Sequence, residues 1–298
     1  MVNTFALGVG IVEAVGLGSA YALLALSFTT IFAATGYLHF ALGNIVMLGT
    51  VVEFWAASRG HLSILEAVVL VILMGATVGW LSDRISVRPT WNRTKNAANV
   101  VLLSTMGLAF VIQGLTVIAL GPATYQVPPY ISPRPFFIDG IPIDPSYVVM
   151  LCVLIVVAVV AQLIIRYTQM GYVLRATEEN HELGTALGIN VRLVVGLVFT
   201  VGGAMAALAG YLIAPVSSAS ANSGLSLLVA GSAAMVIGGF GSFSGAVLGG
   251  MIVGAITGLG PLFLPPSAVE PAVLLVMIVI LLIRPQGLGL NRASVRRV

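Results

Sequence analysis

The stretch VVMLCVLIVVAVVAQLII, residues Val148–Ile165, is 18 residues long and carries no charged side chain. A helix of this length and composition spans the hydrocarbon core of a bilayer. The polar segment Gly171–Arg192 follows it, and then the apolar run Leu193–Ile213. Long apolar runs recur on both sides of this unit along the chain. The sequence therefore predicts an all-α fold, a polytopic transmembrane helical bundle.

Composition excludes a soluble protein. The 298 residues are 59% hydrophobic and 8% charged, with a mean hydropathy of +1.09, whereas a soluble domain carries about a quarter charged residues. Outer-membrane barrel strands alternate between polar and apolar residues, unlike these solid apolar runs. The single Cys152 lies inside an apolar run, so disulfides are not part of the design.

Basic residues indicate which side of the membrane each loop occupies. Of the 13 basic residues, 11 lie in three places: the loop from Arg84 to Lys95, the polar segment with its borders, and the tail from Arg284. The positive-inside rule places all three on the cytoplasmic side. A nucleic-acid patch is the rival interpretation, but the tail is too short and has no interleaved aromatic residues.

We expect about eight or nine spans, with the N-terminus outside and the C-terminus inside, forming one transmembrane permease domain over residues 1–298. Thr35–Asn44 interrupts an apolar run and predicts a discontinuous helix. Gly238–Gly245 splits another run, which predicts either two short spans joined by a cytoplasmic turn or a re-entrant hairpin. The proline-rich segment Gly121–Ser146 is expected on the outer face.

The polar segment Gly171–Arg192 predicts a short helix lying on the cytoplasmic face. Thr177 suits the N-cap, and the acidic residues that follow it lie near the positive end of the helix. Gly188 suits the left-handed residue that ends a helix. Such a helix between two spans is expected to contact a soluble partner.

Polar groups inside spans are few, and they tend to face the interior of a bundle. We select His39, Asn44 and Gln113 as candidates for lining a solute pathway. An interhelical hydrogen bond without contact to solute is an equally good interpretation of each. Glu13, Glu53 and Glu66 are instead expected near the outer interface, where a charge is tolerated.

Glycines near the C-terminus repeat every four residues, as Gly241, Gly245, Gly249 and as Gly250, Gly254, Gly258. At helical pitch they form two stripes on adjacent faces, which indicates close helix packing. Either a static contact or one that slides during transport fits this pattern.

Catalytic motifs are absent from the sequence. The three histidines lie in different segments without a metal-ligand spacing, and no serine-hydrolase elbow occurs. The phosphate-binding Walker A sequence is missing too. The sequence thus predicts a chain that is not an enzyme and holds no metal or cofactor of its own.

Several motifs resemble those of ABC importer permeases of the branched-chain amino acid type. The polar segment carries Arg175-Ala176 and the run Ala186-Leu-Gly-Ile-Asn-Val191. Further similar motifs follow the family order along nearly the full chain: His39-Phe40-Ala41 with Gly43 and Met47-Leu-Gly49, Ser104-Thr-Met-Gly-Leu108 with Gln113, Gly238-Gly-Phe-Gly-Ser242 with Gly245–Gly250, and Arg284-Pro-Gln-Gly-Leu288.

This resemblance implies a subunit in a bacterial plasma (inner) membrane that pairs with a second, homologous permease. Two cytoplasmic ATPases would bind ATP beneath the pair, and an extracytoplasmic solute-binding protein would deliver cargo. The segment contacting the ATPases would comprise Arg175, Ala176, Thr177, Glu178, Glu179, Asn180, His181, Glu182, Leu183 and Gly188.

The sequence motifs do not decide which solute is carried. The resemblance favours branched-chain or related small amino acids, but urea and short amides are carried by similar permeases. In the first motif His39 and Leu42 replace the family's usual Asn and His, so solute preference could differ. An ion-coupled secondary transporter is the alternative of another class. It would need an acidic pair or cation site near the midplane, whereas the acids here cluster at loops and helix ends.

Overall fold

The computed structural model describes residues 4–60, 62–91, 97–130, 135–138, 140–167 and 190–289. Nine helices longer than one turn dominate these ranges, so the all-α prediction is confirmed. They are α1 Thr4–Thr35, α2 Leu42–Trp55, α3 Ile64–Ser82, α5 Ala97–Leu120, α6 Pro145–Tyr167, α7 Val191–Ser217, α8 Gly224–Gly238, α9 Phe243–Leu259 and α10 Val269–Ile283. A π-helical turn, Asp83–Val87, joins α3 to the single turn α4, Arg88–Trp91.

Seven of the described helices are long and apolar enough to cross a membrane, and α2 and α8 are shorter apolar helices. At 1.5 Å per residue, the 15 residues of α8 span about 22 Å, less than the hydrocarbon thickness of about 30 Å. The predicted break at Thr35–Asn44 occurs between Thr35, where α1 ends, and Leu42, where α2 begins.

The outer loops carry four short strands. β1, Thr124–Tyr125, pairs antiparallel with β4, Ala219–Ser220, with Thr124 opposite Ser220. β2, Phe136–Ile138, and β3, Ile141–Ile143, form a hairpin. The β1–β4 pair fastens the proline-rich segment to the turn between α7 and α8.

Helices divide into an inner and an outer set. More than half of the most apolar window is buried in α1 and α7, but only 11% in α6 and in α10. Large apolar side chains on α3, α5, α6 and α10 point outward, including Leu65, Leu103, Ile118, Val156 and Leu282. Exposing so much apolar surface to water would be strongly unfavourable, whereas it is expected for helices that contact lipid.

The contact between α1 and α9 is the most extensive in the bundle. A Cβ placed on Gly250 would lie 2.2 Å from Ala22 Cα, and one on Gly254 would lie 2.1 Å from Gly18 Cα. Gly258 approaches Ala14 in the same way. The α9 numbers rise as the α1 numbers fall, so the two helices run antiparallel with their backbones touching.

The adjacent stripe on α9 faces α8. A Cβ on Gly245 would lie 2.0 Å from the Gly238 oxygen, and one on Gly249 would lie 1.9 Å from the Ala234 oxygen. Gly241 departs from the expected stripe: it lies in the turn before α9 with a φ of +74°. Only a residue without Cβ adopts that conformation cheaply, so Gly241 serves the turn and not the helix face.

The short turn Gly239–Ser242 links α8 to α9, and Gly238 of α8 lies against Gly245 of α9. The two therefore form an antiparallel helix pair. Leu288 N donates to the Ile237 oxygen at 2.9 Å, which holds the chain after α10 against this turn. The positive-inside rule assigns the basic tail to the cytoplasm, so the turn beside it and the start of α9 lie on that side. Because α1 runs antiparallel to α9, α1 begins on the outer side.

We predict that Gly254→Ala destabilises the protein, because the added methyl group forces α1 and α9 apart by overpacking, at a cost of about 1–3 kcal/mol. Thermal unfolding in detergent, followed by size-exclusion chromatography, should show a lower midpoint for this variant.

The matched control is Gly107→Ala on α5, where an added Cβ would meet nothing within 4 Å. Its midpoint should equal or exceed that of the wild type, because alanine has the higher helix propensity. Equal midpoints for the two variants would contradict the packing role of the stripe.

Candidate solute pathway and coupling surface

The turn between α7 and α8 brings polar side chains from distant parts of the chain together. Gln113 Nε2, on α5, donates to Asn222 Oδ1 at 3.2 Å. Asn44, in the first turn of α2, is buried, and its Oδ1 would lie 2.1 Å from a Cβ on Gly224. That oxygen has no hydrogen-bond partner among the described residues. Two of the three predicted pathway residues thus converge on one turn.

The two short helices begin side by side at this place. A Cβ on Gly43 would lie 2.3 Å from the Gly224 oxygen, so the first turns of α2 and α8 are in contact. Half-length helices whose positive N-terminal ends meet inside a bundle are a recurring way to build solute sites in transporters. Within the described part of the chain, the α8 N-cap Ser223 makes no side-chain capping bond, which leaves the first N–H groups of α8 for other acceptors.

A cavity of about 190 Å³ opens beside the start of α8. Serines of the α7–α8 region supply much of its polar lining, together with Tyr21, Thr257 and Glu270; these serines are Ser217, Ser218, Ser220, Ser223 and Ser226. Its apolar walls include Ile213, Leu227 and Val273. The cavity therefore combines hydroxyl groups, one carboxylate and an apolar wall.

None of the motifs quoted from the sequence marks this turn. The density of serine from Ser217 to Ser226 was the signal that could have drawn attention to it. Ser218 adds a second one in the structure, because its φ of +69° lies in the left-handed region that only glycine adopts freely. Strained residues of this kind cluster at functional sites.

His39 lies elsewhere, in the connection between α1 and α2. Its ring packs edge-on against Phe199 at 5.1 Å, and neither ring nitrogen has a hydrogen-bond partner among the described residues. The space beside it is too small for a water molecule. In this conformation His39 is a sealed interior residue and not part of an open pathway.

Glu53 lies near the end of α2, where the neighbouring Phe54 stacks on Tyr125 of the outer segment. Its side chain is nevertheless buried, at 3% exposure. It lies within electrostatic reach of Tyr211 and Tyr130, whose rings stack at 5.7 Å. Burial raises the pKa of the Tyr130 hydroxyl, which stays protonated and lies within hydrogen-bond distance of the Leu212 oxygen. Sequence position alone could not separate this buried carboxylate from an exposed one.

Motifs that are far apart in sequence meet in pairs. Phe40 N donates to Thr105 Oγ1 at 3.4 Å, which joins the first motif to the second. Gly239 approaches Gly287, which joins the third motif to the fourth. The motifs therefore mark contacts between helices.

The predicted coupling residues from Arg175 to Leu183, and Gly188, lie outside the described residues. The described chain resumes at Asn190, whose side chain accepts from Leu193 N and caps α7. The polar segment therefore lies between the end of α6 at Tyr167 and the start of α7 at Val191.

A half-buried ion pair at the end of α3 is hydrogen-bonded to the start of α7. Arg88 Nε donates to Asp83 Oδ2 at 2.6 Å, and Arg88 Nη2 donates to the Arg192 oxygen at 3.0 Å. Asp83 is fully buried. A Cβ on Gly196 would lie 2.8 Å from Arg88 Nη2, so glycine makes room for the pair. Ser86 and Ser104 share a hydroxyl hydrogen bond of 2.7 Å that extends the connection to α5.

A bundle of apolar helices that encloses polar groups and a serine-lined cavity has the features of a multi-pass membrane permease. The sequence matches the family described as "Branched-chain amino acid transport system / permease component" over residues 10–282. The chain belongs to that family, and it is a multi-pass protein of the inner membrane.

Relatives of known name extend over almost the whole chain. The high-affinity branched-chain amino acid transport system permease protein LivH of Escherichia coli (strain K12) is 30% identical over 95% of both chains. The corresponding BraD of Pseudomonas aeruginosa is 27% identical over 97% of both. A probable branched-chain amino acid transport permease protein LivH of Methanocaldococcus jannaschii is 25% identical over 93% of this chain and 90% of its own. No solved structure matches the chain.

We predict that Arg88→Met lowers the free energy of unfolding by about 3 kcal/mol, because it leaves a buried carboxylate without its partner. The double variant Asp83→Asn, Arg88→Met should recover much of that loss, since no unpaired charge remains. Thermal midpoints of the two purified variants provide the comparison. A double variant as unstable as the single one would show that the pair contributes little.

Proposed function

We propose that the chain is the permease subunit of an ATP-driven importer for branched-chain or related small apolar amino acids. The assignment of the cargo rests on one observation, the full-length similarity to permeases named for branched-chain amino acid transport in three organisms. The apolar wall of the serine-lined cavity supports it, because Ile213, Leu227 and Val273 suit an aliphatic side chain.

The proposed complex contains a second, homologous permease, two cytoplasmic ATPases and an extracytoplasmic solute-binding protein. The chain has no phosphate-binding glycine-lysine loop, so ATP is bound by the partners and the chain needs no cofactor. The polar segment Gly171–Arg192 is the proposed contact with the ATPases.

The proposed mechanism starts with closure of the ATPases against this segment. The push reaches α7 at Asn190 and reaches α3 and α5 through Arg88 and Ser86, because these side chains bond the three helices together. The glycine-packed helices α1, α8 and α9 have no comparable polar link to that end of α7 among the described contacts. Tilting of α7 against this unit would open the cavity at the α7–α8 turn alternately to the two sides.

Reconstitution tests the proposal. Purified complex in proteoliposomes, supplied with loaded solute-binding protein, should take up radiolabelled L-leucine only when ATP reaches the ATPases. Uptake driven by a sodium or proton gradient without ATP would instead support a secondary transporter. ATP-dependent uptake of urea without leucine uptake would assign the other cargo class.

We also predict that the triple variant Glu178→Ala, Glu179→Ala, Glu182→Ala lowers leucine uptake per ATP hydrolysed, because charged contacts to the ATPases are lost. The matched control is Arg292→Ala, Arg296→Ala, Arg297→Ala, which removes three charges from the cytoplasmic tail. Parallel assays of uptake and phosphate release give the ratio. An unchanged ratio in the triple glutamate variant would argue against the coupling role.

A further inference from the structure

A second cavity, of about 430 Å³, lies where the end of α3 meets the start of α7. The two helices touch beside it, because a Cβ on Gly79 would lie 2.2 Å from the Phe199 oxygen. The lining residues come from the last turns of one long apolar span and the first turns of another. Since the basic loop after α3 marks this end as cytoplasmic, the cavity lies at the level of the lipid headgroups of the cytoplasmic leaflet.

The cavity carries an excess of positive charge. Its lining includes Arg84, Arg88 and Arg192, and among the described lining residues there is no carboxylate. The nearby Asp83 pairs with Arg88, and within the described part of the chain neither of the other two arginines forms an ion pair. Three arginines and one aspartate leave a net charge of +2, which attracts an anion into a space bordered by apolar helices.

Arg84 is held in position to bind such an anion. Its guanidinium lies over the Trp80 ring, with 4.8 Å between Cζ and the ring centroid. A cation–π contact uses no hydrogen-bond donor, so the N–H groups of Arg84 remain for an acceptor. The planar guanidinium matches two oxygens of a phosphate, which makes a phosphate group the best-fitting anion.

The positive charge of this cavity does not depend on the end of α7. The first turn of that helix already has a cap, since the Asn190 side chain accepts from Leu193 N at 3.2 Å. Gly196 of α7 helps to keep the cavity open, because a Cβ there would lie only 2.8 Å from Arg88 Nη2. The anion would therefore bind guanidinium groups supplied by two different spans.

Apolar side chains border the same cavity and remain exposed on the surface of the chain. Trp80 of α3 and Leu193 and Leu197 of α7 line it, with 42%, 56% and 36% of their surfaces exposed. Leu81 and Ile85 add exposed apolar surface next to Trp80. A soluble anion gains nothing from this surface, whereas acyl chains do. A tryptophan at the end of a span is also typical of the headgroup level.

We propose that this cavity binds the headgroup of an anionic phospholipid from the cytoplasmic leaflet. The phosphate accepts hydrogen bonds from Arg84 and Arg192, and the acyl chains pack along Leu193, Leu197 and Trp80. Basic pockets between spans on the cytoplasmic side suit such headgroups. The bound lipid joins the end of α3 to the start of α7, beside the Asp83–Arg88 pair. This inference does not depend on which solute the permease carries.

Photocrosslinking in the complete importer complex tests the site. The probe is a phosphatidylglycerol that carries a diazirine on its acyl chain close to the glycerol, and the comparison probe is a phosphatidylethanolamine with the same diazirine. Proteoliposomes are irradiated, and labelled peptides are identified by mass spectrometry. The phosphatidylglycerol probe should label residues 80–85 and 192–200 several-fold more than the phosphatidylethanolamine probe does, because only the former carries a net negative charge.

Competition identifies the kind of ligand. Cardiolipin added to the vesicles should reduce labelling of these two segments, and unlabelled phosphatidylethanolamine should leave it unchanged. Inorganic phosphate at millimolar concentration should not compete, because it cannot use the apolar border of the cavity. Competition by inorganic phosphate as strong as that by cardiolipin would assign a soluble anion to the cavity and overturn the lipid proposal.

Variants locate the interaction. Arg84→Gln should raise the probe concentration for half-maximal labelling by about fivefold, the factor that one basic residue contributes near an anionic lipid surface. Arg84→Lys keeps the charge and should retain most of the affinity. The matched control is Arg166→Gln, because Arg166 also lies over an aromatic ring, that of Tyr167 at 5.5 Å, but outside this cavity. It should label like the wild type, and size-exclusion profiles establish that each variant is folded.

Three results would overturn the proposal. The first is equal labelling of the two segments by both probes, and the second is an equal effect of Arg84→Gln and Arg166→Gln. The third is labelling that appears only after the ATPases are removed, which would assign the cavity to a contact between subunits.

Discussion

The backbone contact between α1 and α9 is the constraint on which the rest of the bundle depends. Gly254 and Gly18 face each other with no room for a side chain on the first, and Gly250 meets Ala22 one turn away. In lipid the hydrophobic effect does not bring helices together, so their association depends on dispersion between closely packed backbones. Because α9 also presents Gly245 and Gly249 to α8, one helix fixes both neighbours. The start of α8, and the cavity beside it, are therefore placed by the glycine contacts of α9.

A second set of contacts is polar and lies near the cytoplasmic end. The Asp83–Arg88 pair and the Ser86–Ser104 hydroxyls connect α3, α5 and the start of α7. Glycines also bring α7 onto its neighbours: a Cβ on Gly203 would lie 2.3 Å from the Gly75 oxygen of α3, and one on Gly210 would lie 2.0 Å from the Val46 oxygen of α2. The mechanism proposed above treats α1, α8 and α9 as a fixed unit and α7 with α3 and α5 as a movable unit, with the serine-lined cavity at their border.

The sequence alone predicted those structural features that a local pattern of residues determines. Solid apolar runs predicted the spans, and the period of four among glycines predicted which faces of α9 pack closely, except at Gly241, which belongs to the turn before α9.

Tertiary contacts determine the features that the local pattern did not predict. Glu53 is buried because α2 packs against α7, and His39 is sealed because its connection folds against Phe199. The cavity combines Tyr21 with Glu270, which only the folded chain brings together. Asn44 and Gln113 were selected because they are polar residues inside spans. Their convergence on the α7–α8 turn depends on tertiary packing, which a local sequence pattern does not contain.

The proposed mechanism requires α7 to move against the glycine-packed unit when nucleotide binds the ATPases. Distances between spin labels in the reconstituted complex test it most directly, with one pair at Leu197 on α7 and Leu248 on α9 and a reference pair at Ile11 on α1 and Leu248. All three side chains are exposed on the surface of the chain. We expect ATP to shift the distance distribution of the first pair by several ångströms and to leave the reference pair unchanged. A first pair that stays fixed through the ATP cycle, or a reference pair that shifts with it, would contradict the mechanism.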